Sequence, residues 1–341
     1  MLTFGRSCRK LFYCVRTEDI MTWETVSAIL LFLIGLGLII KGGDVFVDAS
    51  TWIAEASGMP KFLIGATIVS VATTLPEMFA STIATATGSN DIAIGNAVGS
   101  VTANMGLIMS ISLIFMPMVI KRAEIGLKSG IMLVSIAALL LTCMDGELTV
   151  WEGLILLALF IGYIAENIVS AKRTLGKGGE SKEERPPVNK KTVTVNVLKF
   201  ILGAAALAFG SHLLVDNGKY LARLIGVPER IIAITLIAIG TSLPELVTAI
   251  TALVKKQGSM SVGNIIGANI IDITLILPIC ALISGGTLVV PPASYTVDLP
   301  VCLAVGAVAL IPTLICKKFH RWQGIVMIAG YIAYLVYSVL M

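Results

Sequence analysis

Apolar stretches long enough to cross a bilayer recur along this 341-residue chain, near 25–47, 61–86, 91–116, 124–143, 151–170, 193–215, 229–254, 260–284, 297–316 and 324–340. About 20 apolar residues suffice for one helical crossing, so the spacing predicts ten transmembrane helices. Composition agrees: 56% of residues are hydrophobic and 13% are charged, whereas a soluble domain carries about 25% charged residues. Inside a bilayer every backbone amide must be satisfied within its own segment, which leaves helices as the spanning element. The expected fold is therefore all-α and polytopic.

The net charge of +4 is confined to short clusters between apolar runs. It bears on topology and gives no reason to expect a nucleic-acid partner. Loops after the third, fifth, seventh and ninth spans carry Lys121, Arg122 and Lys128; Lys172, Arg173 and Lys177; Lys255 and Lys256; and Lys317, Lys318 and Arg321. The opposing loops after the fourth and eighth hold Asp145, Glu147, Glu152 and Asp298. Positive residues stay inside, so the basic side is expected to be the cytoplasm, with both termini outside. Lys219, Arg223 and Arg230 on the outer side are an exception. Residues 1–24 read as an N-terminal extension whose basic residues contradict that placement, and a natural start at Met21 would resolve the conflict. Lys41 and Asp44, within one turn of each other, read as a local pair or a snorkelling lysine. Cys8, Cys14, Cys143, Cys280, Cys302 and Cys316 show no metal-ligand spacing, and His212 and His320 are too few for a histidine site.

The chain repeats itself. A shift of 168 residues (245 − 77 = 168) superposes Gly42 on Gly210, Asp48 on Asp216, Pro60 on Pro228, Thr73 on Thr241, Pro76 and Glu77 on Pro244 and Glu245, and Gly95, Asn96 and Gly99 on Gly263, Asn264 and Gly267. The two copies, 25–170 and 193–341, flank a polar linker at 171–192. Five helices per copy is an odd number, so the second copy enters the membrane from the opposite face. Inverted repeats of this kind are the architecture of secondary transporters, with the site at the midplane between copies.

The paired segments Thr73-Thr74-Leu75-Pro76-Glu77 and Thr241-Ser242-Leu243-Pro244-Glu245 fall mid-span. A proline within a helix removes one backbone donor and strains the carbonyl four residues back, here at Ala72 and Gly240. The i, i+4 spacing puts a hydroxyl and a carboxylate on one face beside those carbonyls, an oxygen set suited to a hard cation. A second stripe holds Asn96, Ser100 and Asn104, matched by Asn264, Ala268 and Asp272. The small-residue pairs Gly95/Gly99 and Gly263/Gly267 are expected to let these stripes pack closely on the glutamate helices. A carboxylate at the bilayer centre costs about 2.5–3.5 kcal/mol on insertion scales. Glu77, Glu245 and Asp272 have no Lys or Arg in their own segments, so bound cations or protons must offset them.

Segments 65–108 and 233–276 resemble the two α-repeats of the sodium/calcium exchanger family, through T-T/S-L-P-E and the G-N-x-x-G motif that follows. The resemblance implies one Ca²⁺ site and several Na⁺ sites at the centre of a ten-helix inverted repeat, and the short linker resembles that of prokaryotic members, so a prokaryotic cell membrane is expected; a monomer without a cofactor is the expected working form. It implies that Glu77 and Glu245 ligate Ca²⁺ and are shared with Na⁺, and that Thr73 and Thr241 complete the calcium site through their carbonyls. Thr74, Ser242 and Ser100 become side-chain ligands of sodium sites, Ser70 and Ala238 carbonyl ligands, and Asn104 and Asp272 the central polar pair. Ala268 departs from the family, which commonly has serine there, so one sodium site loses an oxygen. Calcium:sodium antiport is the expected activity. Ca²⁺/H⁺ antiport, K⁺-dependent exchange and a cation channel are the alternatives, and an enzyme is not expected.

Overall fold

The structure, a computed structural model, describes residues 23–116, 122–176, 186–227 and 240–340. The N-terminal extension to residue 22, most of the linker (177–185), the segment 228–239 with Arg230 and Ala238, and Lys121 lie outside the described residues.

Among the described residues the helices that follow one another are α1 (Trp23–Ser57), α2 (Lys61–Ala86), α3 (Asn90–Phe115), α4 (Arg122–Thr142), α5 (Val150–Gly176), α6 (Lys190–Leu224), α7 (Leu243–Val254), α8 (Gly258–Ile283), α9 (Ser294–Cys316) and α10 (Arg321–Leu340). Eight described helices are long and apolar enough to cross a membrane, and α7 is a shorter apolar helix. The most apolar 18-residue windows of α3 and α8 are 72% and 83% buried within the protein, against 17% for α5 and α6 and 28% for α1. The gradient sorts the helices. α3 and α8 form the core, and α1, α5 and α6 present Leu33, Ile34, Ile155, Ile201 and Leu202 outward to lipid.

The internal duplication is visible in how α1 crosses α6. A Cβ on Gly35 would lie 2.9 Å from the carbonyl oxygen of Gly210, and one on Gly42 3.2 Å from that of Gly203. The 168-residue shift carries Gly35 onto Gly203 and Gly42 onto Gly210. It therefore exchanges the two contacts, as a dyad relating the copies requires. Only glycine permits this backbone approach.

Three local departures from α geometry position the site. α2 opens into a π turn at Gly65–Val69, α3 at Asn104–Met109 and α8 at Asp272–Ile276. The last two begin at residues equivalent under the repeat, and π turns concentrate at functional positions. α2 then runs unbroken through Pro76. Pro244, by contrast, lies in the first turn of α7, after Ser242. The expected break in matching helices is thus found as a true helix start only in the second copy, where a proline in the first turn costs no hydrogen bond.

Other expectations are corrected. The loops after α4 and α8 are not plain acidic loops: β1 (Glu147–Thr149) and β2 (Thr287–Val289) pair antiparallel, with buried Leu148 opposite buried Leu288. Lys128 is no loop charge but lies inside α4, 1% exposed, with Nζ 3.7 Å from Glu166 and over the Phe62 ring. Asp44 does not pair with exposed Lys41. Its partner is Lys255, just past α7, which bridges Asp44 at 2.5 Å and Asp48 at 2.6 Å. The linker is shorter than expected, since α5 continues to Gly176 and α6 starts at Lys190, capped reciprocally by Asn189 and Thr192.

A candidate cation site between the two repeats

α2, α7 and α8 bring Glu77, Glu245 and Asp272 together in the core, each at most 1% exposed. Glu77 stands beside both Glu245 and Asp272, and Glu245 also beside Thr73 and Thr74. None of the six carboxylate oxygens has a hydrogen-bond partner. Carboxylates buried in this way are ordinarily paired or bonded several times over. Here they are held without a partner by the surrounding structure, the arrangement expected where a cation is the missing partner. Glu245 gains from its place in the first turn of α7, where free backbone amides favour negative charge. Glu77, in mid-helix, has no such help.

Hydroxyl and amide groups line the same space. Thr73 Oγ1 donates to Asn264 Oδ1 at 3.2 Å and to the Ser70 carbonyl at 3.4 Å. Across the dyad, Ser100 Oγ and Thr241 Oγ1 are 3.5 Å apart. Thr74 and Ser242, matched under the repeat, have buried hydroxyls with no partner. Asn96 Nδ2 donates to the Glu77 carbonyl at 3.2 Å and to Ser81 Oγ at 2.9 Å, which ties α3 to α2 at the level of the site. Gly263 packs against the backbone of Phe62 and Ala66, and Gly267 against Ser70 and Tyr163, so this pair makes the close approach expected of it. At Gly95 and Gly99 no described residue comes within 4 Å of an added Cβ. Residues 230, 234 and 238, equivalent under the repeat to the Phe62, Ala66 and Ser70 that Gly263 and Gly267 meet, lie outside the described residues.

Four contributors were not singled out from the sequence. Asn269 accepts from Asn104 Nδ2 at 3.0 Å. Tyr163 donates its hydroxyl to the Ala66 carbonyl within the first π turn. Ser81 receives Asn96. Thr248 adds a further buried hydroxyl without a partner. Tyr163 carried a legible signal, because the 168-residue shift places it on Tyr331. Asn269 and Thr248 did not, since Val101 and Ala80 occupy the equivalent positions. Among the described residues no group of three or more His, Cys, Asp or Glu side chains converges on a single metal position. Around the glutamates the available oxygens are carboxylates, hydroxyls and carbonyls, the mixed set that hard cations take.

An inverted repeat with unpaired carboxylates at its centre, set among free hydroxyls and a helix start, defines a secondary transporter of cations. The chain matches the family described as sodium/calcium exchanger protein over residues 27–169 and 195–340. It is 30% identical to the sodium/calcium exchanger MaX1 of Methanosarcina acetivorans, with 90% of this chain and 97% of that one covered. It is 34% identical to an uncharacterized membrane protein of Methanocaldococcus jannaschii, covering 88% and 94%. Among solved structures it superposes on the sodium-calcium exchanger NCX_Mj soaked with Na⁺ and Sr²⁺, with a TM-score of 0.78, 31% identity, and 91% and 98% of the two chains covered. The chain belongs to the sodium/calcium exchanger family.

Proposed function

We propose that the protein is a calcium:sodium antiporter that moves Ca²⁺ against a Na⁺ gradient by alternating access. The observation that carries this reading is the pair Glu77 and Glu245, buried side by side from the two repeats with every carboxylate oxygen unpartnered. In this reading both glutamates, with Thr73 and Thr241, hold Ca²⁺, and the same glutamate oxygens serve Na⁺, so the two ions exclude each other. Thr74, Ser242, Ser100 and the carbonyls of Ser70 and Ala238 complete the sodium sites. Three carboxylates carry −3 when ionised. Three Na⁺ neutralise that charge, whereas one Ca²⁺ leaves −1; a proton that stays on Asp272 in both loaded forms leaves this one-charge difference intact. The exchange is accordingly electrogenic, near three Na⁺ per Ca²⁺. The unpaired hydroxyls of Thr74 and Ser242 favour Na⁺ over H⁺ as the counter-ion, because a proton needs no such oxygens.

Alternating access in this reading moves the lipid-facing pair α1 and α6 against the core, the rocking expected of inverted repeats. The linker faces the cytoplasm of a prokaryotic cell with the termini outside, and one chain is a working unit. Na⁺-driven ⁴⁵Ca²⁺ uptake into proteoliposomes tests the assignment. Native protein accumulates Ca²⁺ only with a Na⁺ gradient, and Glu77→Gln and Glu245→Gln each fall to the protein-free background. Native-level uptake by both variants overturns it.

A further inference from the structure

Threonines inside helices usually return their hydroxyl to the carbonyl one turn back, and this protein follows the habit. Thr67, Thr82, Thr85, Thr102, Thr274 and Thr313 each donate to the carbonyl four residues earlier at 2.6–2.9 Å. Thr248 does not. It is 1% exposed, sits in α7 one turn beyond Glu245, and its Oγ1 has no partner. Among the described residues few buried hydroxyls share that condition, Thr74 and Ser242 near the glutamates being two of them.

Its place can be fixed from its neighbours. In the first copy, Asn96 reaches from α3 to the Glu77 carbonyl and to Ser81. The equivalent Asn264 on α8 does not repeat those bonds, its Nδ2 having no partner, but Glu245, one turn before Thr248, stands beside Thr73. Asn264 in turn accepts from Thr73, and its neighbour in the chain, Gly263, packs on Phe62 and Ala66 of α2. One turn further along α8, Gly267 lies against Ser70. Thr248, Thr73, Ser70 and Ala268 therefore share one half of the site, the half nearer the start of α2. The other half has Ser100 beside Thr241. The half that holds Ala268 lacks the serine hydroxyl its counterpart has. It has instead the Thr248 hydroxyl, where the first copy has Ala80.

We infer that Thr248 is a sodium ligand, supplying from α7 the side-chain oxygen that Ala268 cannot supply from α8. The hydroxyl of one copy is moved by a turn to the neighbouring helix in the other, so both halves keep a full set of oxygens despite the substitution. This deepens the antiport reading and rests on it.

The test separates hydroxyl from shape and binding from transport. Na⁺ affinity is read in purified protein, without Ca²⁺, as the Na⁺ concentration giving half-maximal protection against thermal unfolding. Na⁺-driven ⁴⁵Ca²⁺ flux is measured in parallel. Thr248→Val, which keeps the branched shape and removes the oxygen, raises the half-saturating Na⁺ about tenfold, equivalent to 1.4 kcal/mol, while Ca²⁺ binding stays within about twofold. Thr248→Ser restores it. Adding Ala268→Ser to Thr248→Val also restores it, because the oxygen returns from α8. Should the valine variant not fold, Thr248→Ala is read in the same way against Thr248→Ser. An unchanged Na⁺ titration in the valine variant, an equal loss in Thr248→Ser, or no recovery in the double variant overturns the assignment. If native protein shows no Na⁺-coupled flux, the antiport reading fails, while the Na⁺ titration still decides the role of Thr248.

Discussion

Asn104 donates its side-chain amide to Oδ1 of Asn269, 3.0 Å away and equally buried. The bond fixes which end of the Asn104 amide is spent on protein, and it leaves Oδ1 of Asn104 without a partner in the core. Asn269 thus acts through Asn104. Replacing it with Val, the residue at the equivalent position 101, frees the amide to turn its nitrogen inward. A neutral hydrogen bond is worth about 0.5–1.5 kcal/mol, so Asn269→Val is expected to weaken the apparent affinity for Na⁺ or Ca²⁺ by about two- to tenfold while the protein stays folded. Ion titrations of ⁴⁵Ca²⁺ uptake check this. Curves superimposable on native mean that Asn104 keeps its orientation unaided.

The crossing of α1 and α6 predicts a contrast between a glycine inside the contact and one outside it. Gly210→Ala places a methyl 2.9 Å from the Gly35 carbonyl and from Ile39. Overpacking of that kind costs about 1–3 kcal/mol, and the backbone oxygen cannot move aside as a side chain would. Gly37→Ala, with no described atom within 4 Å of its Cβ, is the control. Thermal unfolding in detergent is expected to show a clear loss for the first variant and none for the second. Equal midpoints exclude the crossing as a stabilising contact.

How much of this was legible in the sequence follows from what a linear pattern records. Ten apolar stretches fixed the helices, and the 168-residue shift paired Glu77 with Glu245, because burial and repetition leave their mark position by position. The close approaches of Gly35 to Gly210 and of Gly42 to Gly203 leave no mark in hydropathy, because these glycines lie within apolar runs. The π turns at Asn104 and Asp272 were missed too, because one extra residue in a turn changes no hydropathy pattern. The Lys255 bridge to Asp44 and Asp48 spans more than 200 residues, and local spacing pointed to Lys41 instead. Asn269 and Thr248 break the repeat, so a reading built on symmetry passed over both.

Lys255 joins α7 to the lipid-facing helix α1 through two carboxylates and a bond to the Asp44 carbonyl at 3.0 Å. The repeat offers no copy of this link: the shift places His212 and Asp216 on Asp44 and Asp48, but Thr87 corresponds to Lys255. The link therefore holds α1 on one side only and favours the arrangement seen here. Exposed ion pairs contribute up to about 1 kcal/mol, about a fivefold shift in a two-state balance. Lys255→Gln is expected to change the maximal exchange rate by up to that factor with Ca²⁺ affinity nearly constant, and high salt is expected to narrow the difference between variant and native. Rates equal to native at low salt rule the link out as a conformational bias.

Lys128 and Glu166 offer a sharper energetic test, because one partner is almost fully enclosed. The Lys128 ammonium has Glu166 at 3.7 Å, Ser170 Oγ at 3.4 Å and the Phe62 ring at 5.8 Å. Ser170 in turn donates to Glu166 at 2.8 Å, closing a small network on α5. Removing one member of a buried pair strands the other charge and typically costs about 3–5 kcal/mol, whereas replacing both with apolar side chains is often neutral. Glu166→Leu, which takes one carboxylate from beside the enclosed ammonium, is thus expected to lower the unfolding midpoint. Lys128→Met is expected to cost less, because Glu166 is 13% exposed and reaches water more readily. The double variant should recover most of the loss in Glu166→Leu, and unfolding midpoints of the three variants measured side by side give the coupling. If the double variant is as unstable as the sum of the singles, the two side chains act independently, and Phe62 with its neighbours, not Glu166, accommodates the buried ammonium.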